Sequence, residues 1–215
     1  MQNTPKILIV AALALFHVPA AFATLVQFLD TAQMTQLSKE IYTGKITRTY
    51  SSWDPDNKMI YTYVKLNIDQ AIKSDKNAAE ESKKEVLIRI PGGETNGVQM
   101  RVYGVAHFKK GEETLVFLRH HQGAPTVVGM AQGKYVISTD PDSGKKMVSR
   151  QLPKSLEFVQ SKAKQQIQGL KAGHTASHNH NLDHSHDHAI TADSAPIELS
   201  EMVNIIQEHM QKEVK

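Results

Sequence analysis

VLIRIPGG (Val86–Gly93), MRVYGV (Met100–Val105), GEETLVFLRH (Gly111–His120) and TVVGMAQGKYVI (Thr126–Ile137) are four apolar runs spaced by glycine, proline and polar turn residues. Short runs rich in Val, Ile, Leu, Tyr and Phe, bounded by such breakers, are the pattern of a meandering antiparallel sheet. Within the third run, Leu115, Val116, Phe117 and Leu118 are apolar without interruption. Successive strand residues point to opposite faces, so this segment has no face to give to water. It must be covered on both sides or sit at a barrel corner. These runs predict a mainly β (α+β) chain built around a small antiparallel β-barrel.

Working upstream, Met59–Ile72 alternates: Ile60, Thr62, Val64, Leu66 and Ile68 fall on one face, and Tyr61, Tyr63, Lys65, Asn67 and Asp69 on the other. One buried and one wetted face follow from that period of two. Ile41–Trp53 reads as its hairpin partner, because Asp54-Pro55-Asp56-Asn57 is turn chemistry: proline presets one dihedral, and Asp and Asn bond back to the backbone. Before it, Asp30 stands three residues ahead of Gln33, the spacing of a capping box. A short helix ending near Ser38 is expected there, plugging one end of the barrel. Leu25–Leu29 reads as either a short strand or the lead-in to that helix. Ser74–Lys84 reads as a solvated connection.

Downstream, Asp140-Pro141-Asp142-Ser143-Gly144 reads as a hairpin turn into Lys145–Arg150. After Pro153, Leu156, Val159, Ala163 and Ile167 recur at helical spacing, predicting a helix over 153–172. A biased linker occupies 173–195. A C-terminal helix over 196–215 carries a stripe of Met202, Ile205, Ile206, His209 and Met210, which either packs on the barrel or faces a partner. The barrel itself is assigned to 24–152.

Residues 1–23 read as a secretory signal. Lys6 precedes the apolar run Ile7–Phe16, which is too short to span a bilayer, and Ala21-Phe22-Ala23 is a cleavage exit. The expected destination is the periplasm or the exterior, with cleavage after Ala23 and no membrane span afterwards. Of 215 residues none is cysteine, which excludes a disulfide framework, a thiol nucleophile and Cys-based zinc sites. A net charge of +3 with scattered Lys and Arg gives no nucleic-acid footprint.

Chemistry concentrates in the linker: His174, His178, His180, His184, His186 and His188, with Asp183 and Asp187 between them. Imidazole is a ligand for zinc, copper and nickel, and His-x-His spacing in a flexible chain lets neighbouring rings reach one ion. The expectation is loose binding of Zn²⁺ or Ni²⁺, with no cofactor required by the barrel. His120-His121 ends an apolar run, where adjacent side chains diverge and cannot easily share an ion; a loop is expected there, and a turn at His107. Trp53 stands at the tip of the first hairpin. No His-Glu-x-x-His, Gly-x-Ser-x-Gly, Walker or dinucleotide fingerprint occurs, so no catalytic residue is assigned.

As a set, Tyr42–Ile46, Ser51–Asp54, Ile60–Thr62, Ile90–Gly93, Gly111–Leu118 and Gln132–Tyr135 (QGKY) resemble the signposts of a family of exported bacterial β-barrel proteins of uncharacterised function. The resemblance spans about Leu25–Arg150. Strand order and scale are also similar to OB-fold barrels, including the netrin-like domain of tissue inhibitors of metalloproteinases, an analogy of architecture. Those inhibitors place an N-terminal Cys on the protease zinc; here the expected mature end is Thr24-Leu25-Val26. The resulting expectation is an exported, non-enzymatic OB-like binding module. An inhibitor or partner of an exported protease and a periplasmic metal buffer are the alternatives, and another exported protein is the expected partner.

Overall fold

The computed structural model describes residues 24–56, 58–74, 83–153, 156–159 and 195–212. The expected signal segment and the histidine tract lie outside the described residues.

The chain opens with β1 (Thr24–Gln27) and α1 (Thr31–Leu37). The capping box is formed in full: Asp30 Oδ1 accepts from Gln33 N–H at 2.9 Å, and Gln33 Oε1 accepts from Asp30 N–H at 3.1 Å. Next come β2 (Glu40–Trp53) and β3 (Ile60–Lys73), paired antiparallel along most of their length. Asp54 makes their turn, its Oδ1 accepting from the N–H groups of Lys58 and Met59 at 2.7 and 3.1 Å. The register shifts at three places in this ladder, one of them between Thr43 and Gly44. A Cβ on Gly44 would lie 2.0 Å from the Asn67 carbonyl oxygen, so only glycine lets β2 press this closely on β3. Such irregularities bend and coil a strand. The bent strand reaches a second partner through Glu40–Lys45.

The remaining strands are β4 (Glu85–Pro91), β5 (Gly93–Thr95), β6 (Val98–Met100), β7 (Glu113–His121), β8 (Ala124–Val127), β9 (Lys134–Thr139), β10 (Lys146–Arg150), β11 (Leu156–Val159) and β12 (Ile197–Glu198), followed by α2 (Leu199–Lys212). Eight of the described strands, β2 and β3 included, form one antiparallel sheet in the order β12-β10-β9-β7-β2-β3-β4, with β8 also on β7. β5 and β6 make a separate hairpin, and β1 pairs in parallel with β11.

Strand β7 divides the interior. Val116 and Leu118 join Tyr42, Val64, Leu66 and Ile88 in the core enclosed by the curled sheet. Leu115 and Phe117 join Met34, Ile41, Met202 and Ile206 in a second core beneath the two helices. All four of these β7 side chains are fully buried. The stripe on α2 therefore packs at home, through Met202 and Ile206. Val86, Ile88 and Ile90 face inward as the alternation requires, and Leu87 is exposed.

Four expectations change. The described residues are mainly β with two helices, but no closed barrel is found among them: β8 runs beside β4 with Cα atoms within 8 Å and no backbone ladder joining them. The run MRVYGV is not a strand beyond Met100; it becomes a loop, because Val105 and Ala106 fold inward as a plug against the first core. Leu156–Val159 is a strand and not the start of a helix, since β1 offers it a partner; the rest of the expected 153–172 helix is outside the described residues. His120 and His121 belong to the end of β7 and pair with Pro125 and Ala124 across the β8 turn, so the expected loop there is a hairpin.

The return of the chain at β12 is held by β10 and by Lys145 Nζ, 2.7 Å from Glu198 Oε2. That bond, with a second from Ser200, holds the Glu198 carboxyl below its ordinary value and raises Lys145. A depressed carboxyl contributes stability above its unfolded pKa and loses it as pH falls through the folded pKa. In an NMR titration Glu198 should therefore show a midpoint below 4.5 that moves back toward 4.5 in Lys145→Ala. The two-sided role of β7 makes a separate prediction: Phe117→Ala should cost about 3–5 kcal/mol in urea unfolding.

Candidate ligand cleft

A concave feature that combines an apolar wall with polar groups lies where β4 ends. A cleft of about 290 Å³ opens between the β5–β6 hairpin and the loop that follows it. Its back wall is apolar, from Val64, Ile90, Val102, Val105 and Phe108, and its rim carries Glu94, Gln99, Arg101 and His107.

Two glycines shape the near wall. Gly92 has φ +93° and Gly93 φ +139°, a region L side chains rarely adopt. A Cβ on Gly93 would meet Ser51 Oγ at 2.4 Å and Thr62 Oγ1 at 2.6 Å. Those hydroxyls are bonded to each other at 3.1 Å, and Thr62 Oγ1 donates to the Gly92 carbonyl at 2.8 Å. Pro91-Gly92-Gly93 thus lays the hairpin directly on β2 and β3.

A buried cation holds the far wall. Lys134, 7% exposed at its side chain, pairs with Glu112 at 2.7 Å, donates to the His107 carbonyl at 2.5 Å and lies 4.9 Å from the Phe108 ring centre. Gly111 N–H to the Ile46 carbonyl and Ile46 N–H to the Glu112 carbonyl stitch the same loop to β2. One side chain therefore fixes both the middle and the end of the loop that presents Arg101 and His107. Sequence reasoning missed Lys134 and Glu112, because charges beside turn glycines read as solvated; only their place next to the apolar runs distinguished them.

The residues singled out from the sequence are placed as follows. His174, His178, His180, His184, His186, His188, Asp183 and Asp187 all lie outside the described residues. His107 sits on the cleft rim, whereas His120 is 3.6 Å from Glu40 Oε2 on another part of the sheet. Trp53 closes the β2–β3 ladder opposite Ile60. Among the described residues no three His, Asp or Glu side chains gather to hold a metal ion, and no helix is long and apolar enough to cross a membrane. The cleft offers a mixed-charge rim over an apolar wall, which suits reversible binding of a small polar molecule or a peptide side chain.

No protein-family model, curated protein or solved structure matched the chain. Nothing in those comparisons indicates a catalytic function.

Lys134→Met leaves Glu112 unpaired in a poorly hydrated site, so it should cost about 3 kcal/mol by urea unfolding. Adding Glu112→Gln should recover part of that loss, and loop residues 101–110 should become cleavable by trypsin in the single variant only.

Proposed function

We propose that this chain is an exported, non-enzymatic binding module that takes its ligand in the cleft beside Gly92 and Gly93 and carries a metal-binding tether. The observation that supports the reading best is the Lys134–Glu112 pair. Burying two opposite charges costs desolvation that an apolar pair would not, and the pair adds little to either core. Its geometric effect is to hold one exposed loop at a set distance from the β5–β6 hairpin. Fixing an exposed rim over an apolar wall is what a preformed binding site requires. The curled part of the sheet, β7-β2-β3-β4 with β8, is the portion on which an OB-like reading rests.

Export is read from Lys6, the apolar run Ile7–Phe16 and the Ala21-Phe22-Ala23 exit. The tether reading rests on His174, His178, His180, His184, His186 and His188, with Asp183 and Asp187 as further oxygen ligands. Neutral imidazoles bind Zn²⁺ and Ni²⁺, and protonation removes the site.

Calorimetric titration of the mature chain with Ni²⁺ or Zn²⁺ at pH 7.5 should give saturable heat that falls away near pH 5. A variant with all six of these histidines changed to alanine should lose that heat and keep the same melting temperature. Equal heats from the two proteins would remove the metal part of the reading and leave the cleft part standing.

A further inference from the structure

The seam between β4 and β8 encloses a cavity of about 160 Å³. It differs from the cleft in its chemistry. Ile90, Val105, Val127 and Met130 form its apolar floor, Arg89, Arg119 and His121 stand at its polar side, and no acidic residue lines it.

Arg89 is held in position before any ligand arrives. Its guanidinium carbon lies 4.7 Å from the Tyr61 ring centre, and its Nη2 donates to the His121 carbonyl at 2.8 Å. Its Nε–H, in contrast, is buried and has no hydrogen-bond partner. A buried donor on a cation is costly to leave unmade, and it is met most strongly by a carboxylate oxygen. Arg119, exposed on β7, adds a second guanidinium to the lining. The cavity has about the volume of five water molecules at roughly 30 Å³ each, enough for a short chain of carbons.

We infer that the β4–β8 seam binds a small organic carboxylate whose short apolar tail enters between Ile90, Val127 and Met130 while Arg89 and Arg119 hold its oxygens.

NMR titration of the full chain with hexanoate tests this, with hexanamide and hexylamine as neutral and cationic controls. Hexanoate should shift the amides of Ile90, Arg119 and Val127 saturably and bind about tenfold more tightly than hexanamide, the gain of charge-assisted hydrogen bonds. Arg119 is exposed, so Arg119→Glu leaves the fold intact; it should abolish hexanoate binding and admit hexylamine. Arg89→Lys keeps the charge and loses the planar fork, and should weaken binding about tenfold. A leucine-ending tetrapeptide, free or amidated, separates the sources of the carboxylate. Tighter binding of the free peptide than of hexanoate assigns it to a chain end, and the reverse assigns it to a small metabolite. Equal affinity for the acid, amide and amine, no saturable shift, or binding unchanged by Arg119→Glu overturns the inference. Arg119 and His121 do not line the glycine cleft, so failure here leaves the proposed function untouched.

Discussion

The architecture depends on a strand that has no exposed side. Leu115 and Phe117 face one core and Val116 and Leu118 the other, so β7 must lie between two layers. The curled sheet alone covers one face only. The other face needs Met34 from α1 and Met202 and Ile206 from α2, elements drawn from opposite ends of the chain. Burying each such side chain is worth about 1.5–3 kcal/mol relative to leaving it in water. With no disulfide to close the chain, that apolar burial has to bring α1 and α2 together on one face of β7. The helices are thus part of the core and not appendages to a barrel.

This also explains what could be read in advance. Period-two alternation placed the faces of β3 and β4, and side-chain chemistry local to a few residues placed the Asp30 cap and the Asp54 and Asp140 turns. Each of those signals is decided within about five residues. Closure of the sheet, in contrast, is decided between β4 and β8, which are distant in sequence and share no backbone ladder, while Arg89 on β4 reaches the His121 carbonyl at the end of β7. Likewise Leu156–Val159 has apolar residues at a spacing compatible with helix, and becomes a strand because β1 supplies an edge. The cleft was not legible: Pro91-Gly92-Gly93, which forms its near wall, read only as the end of a strand. Its far wall depends on Lys134, a residue whose burial no local pattern encodes.

The short motifs QGKY (Gln132–Tyr135) and GEETLVFL (Gly111–Leu118) are structural joints. In QGKY, Gln132 accepts from Leu29 N–H at 2.8 Å and donates to the Gln27 carbonyl at 2.9 Å, tying the N-terminal segment down. Gly133 has backbone where a Cβ would go, 2.8 Å from the Val128 oxygen. Lys134 clamps the cleft loop, and the Tyr135 hydroxyl accepts from Arg150 Nε at 3.0 Å. In GEETLVFL, Glu112 answers Lys134, Glu113 pairs with Lys146 at 2.6 Å, and Thr114 Oγ1 donates to the Tyr135 carbonyl at 2.6 Å. The polar residues of these motifs are thus held in place by packing and hydrogen bonding.

The same joints bear on the histidine tract. Arg150 is 4% exposed, donates to the Leu29 carbonyl at 3.2 Å and so locks the end of β10 against the N-terminal segment. On the far side of the tract, Ile197 pairs with Val148 of the same β10, and Lys145 holds Glu198. The chain that leaves after Val159 is thus brought back to β10, the strand that precedes β11. Loop-closure entropy grows only slowly with length, so a long insertion between two such anchors costs the fold little. Sequence between these anchors can change in length and composition while the two cores stay the same.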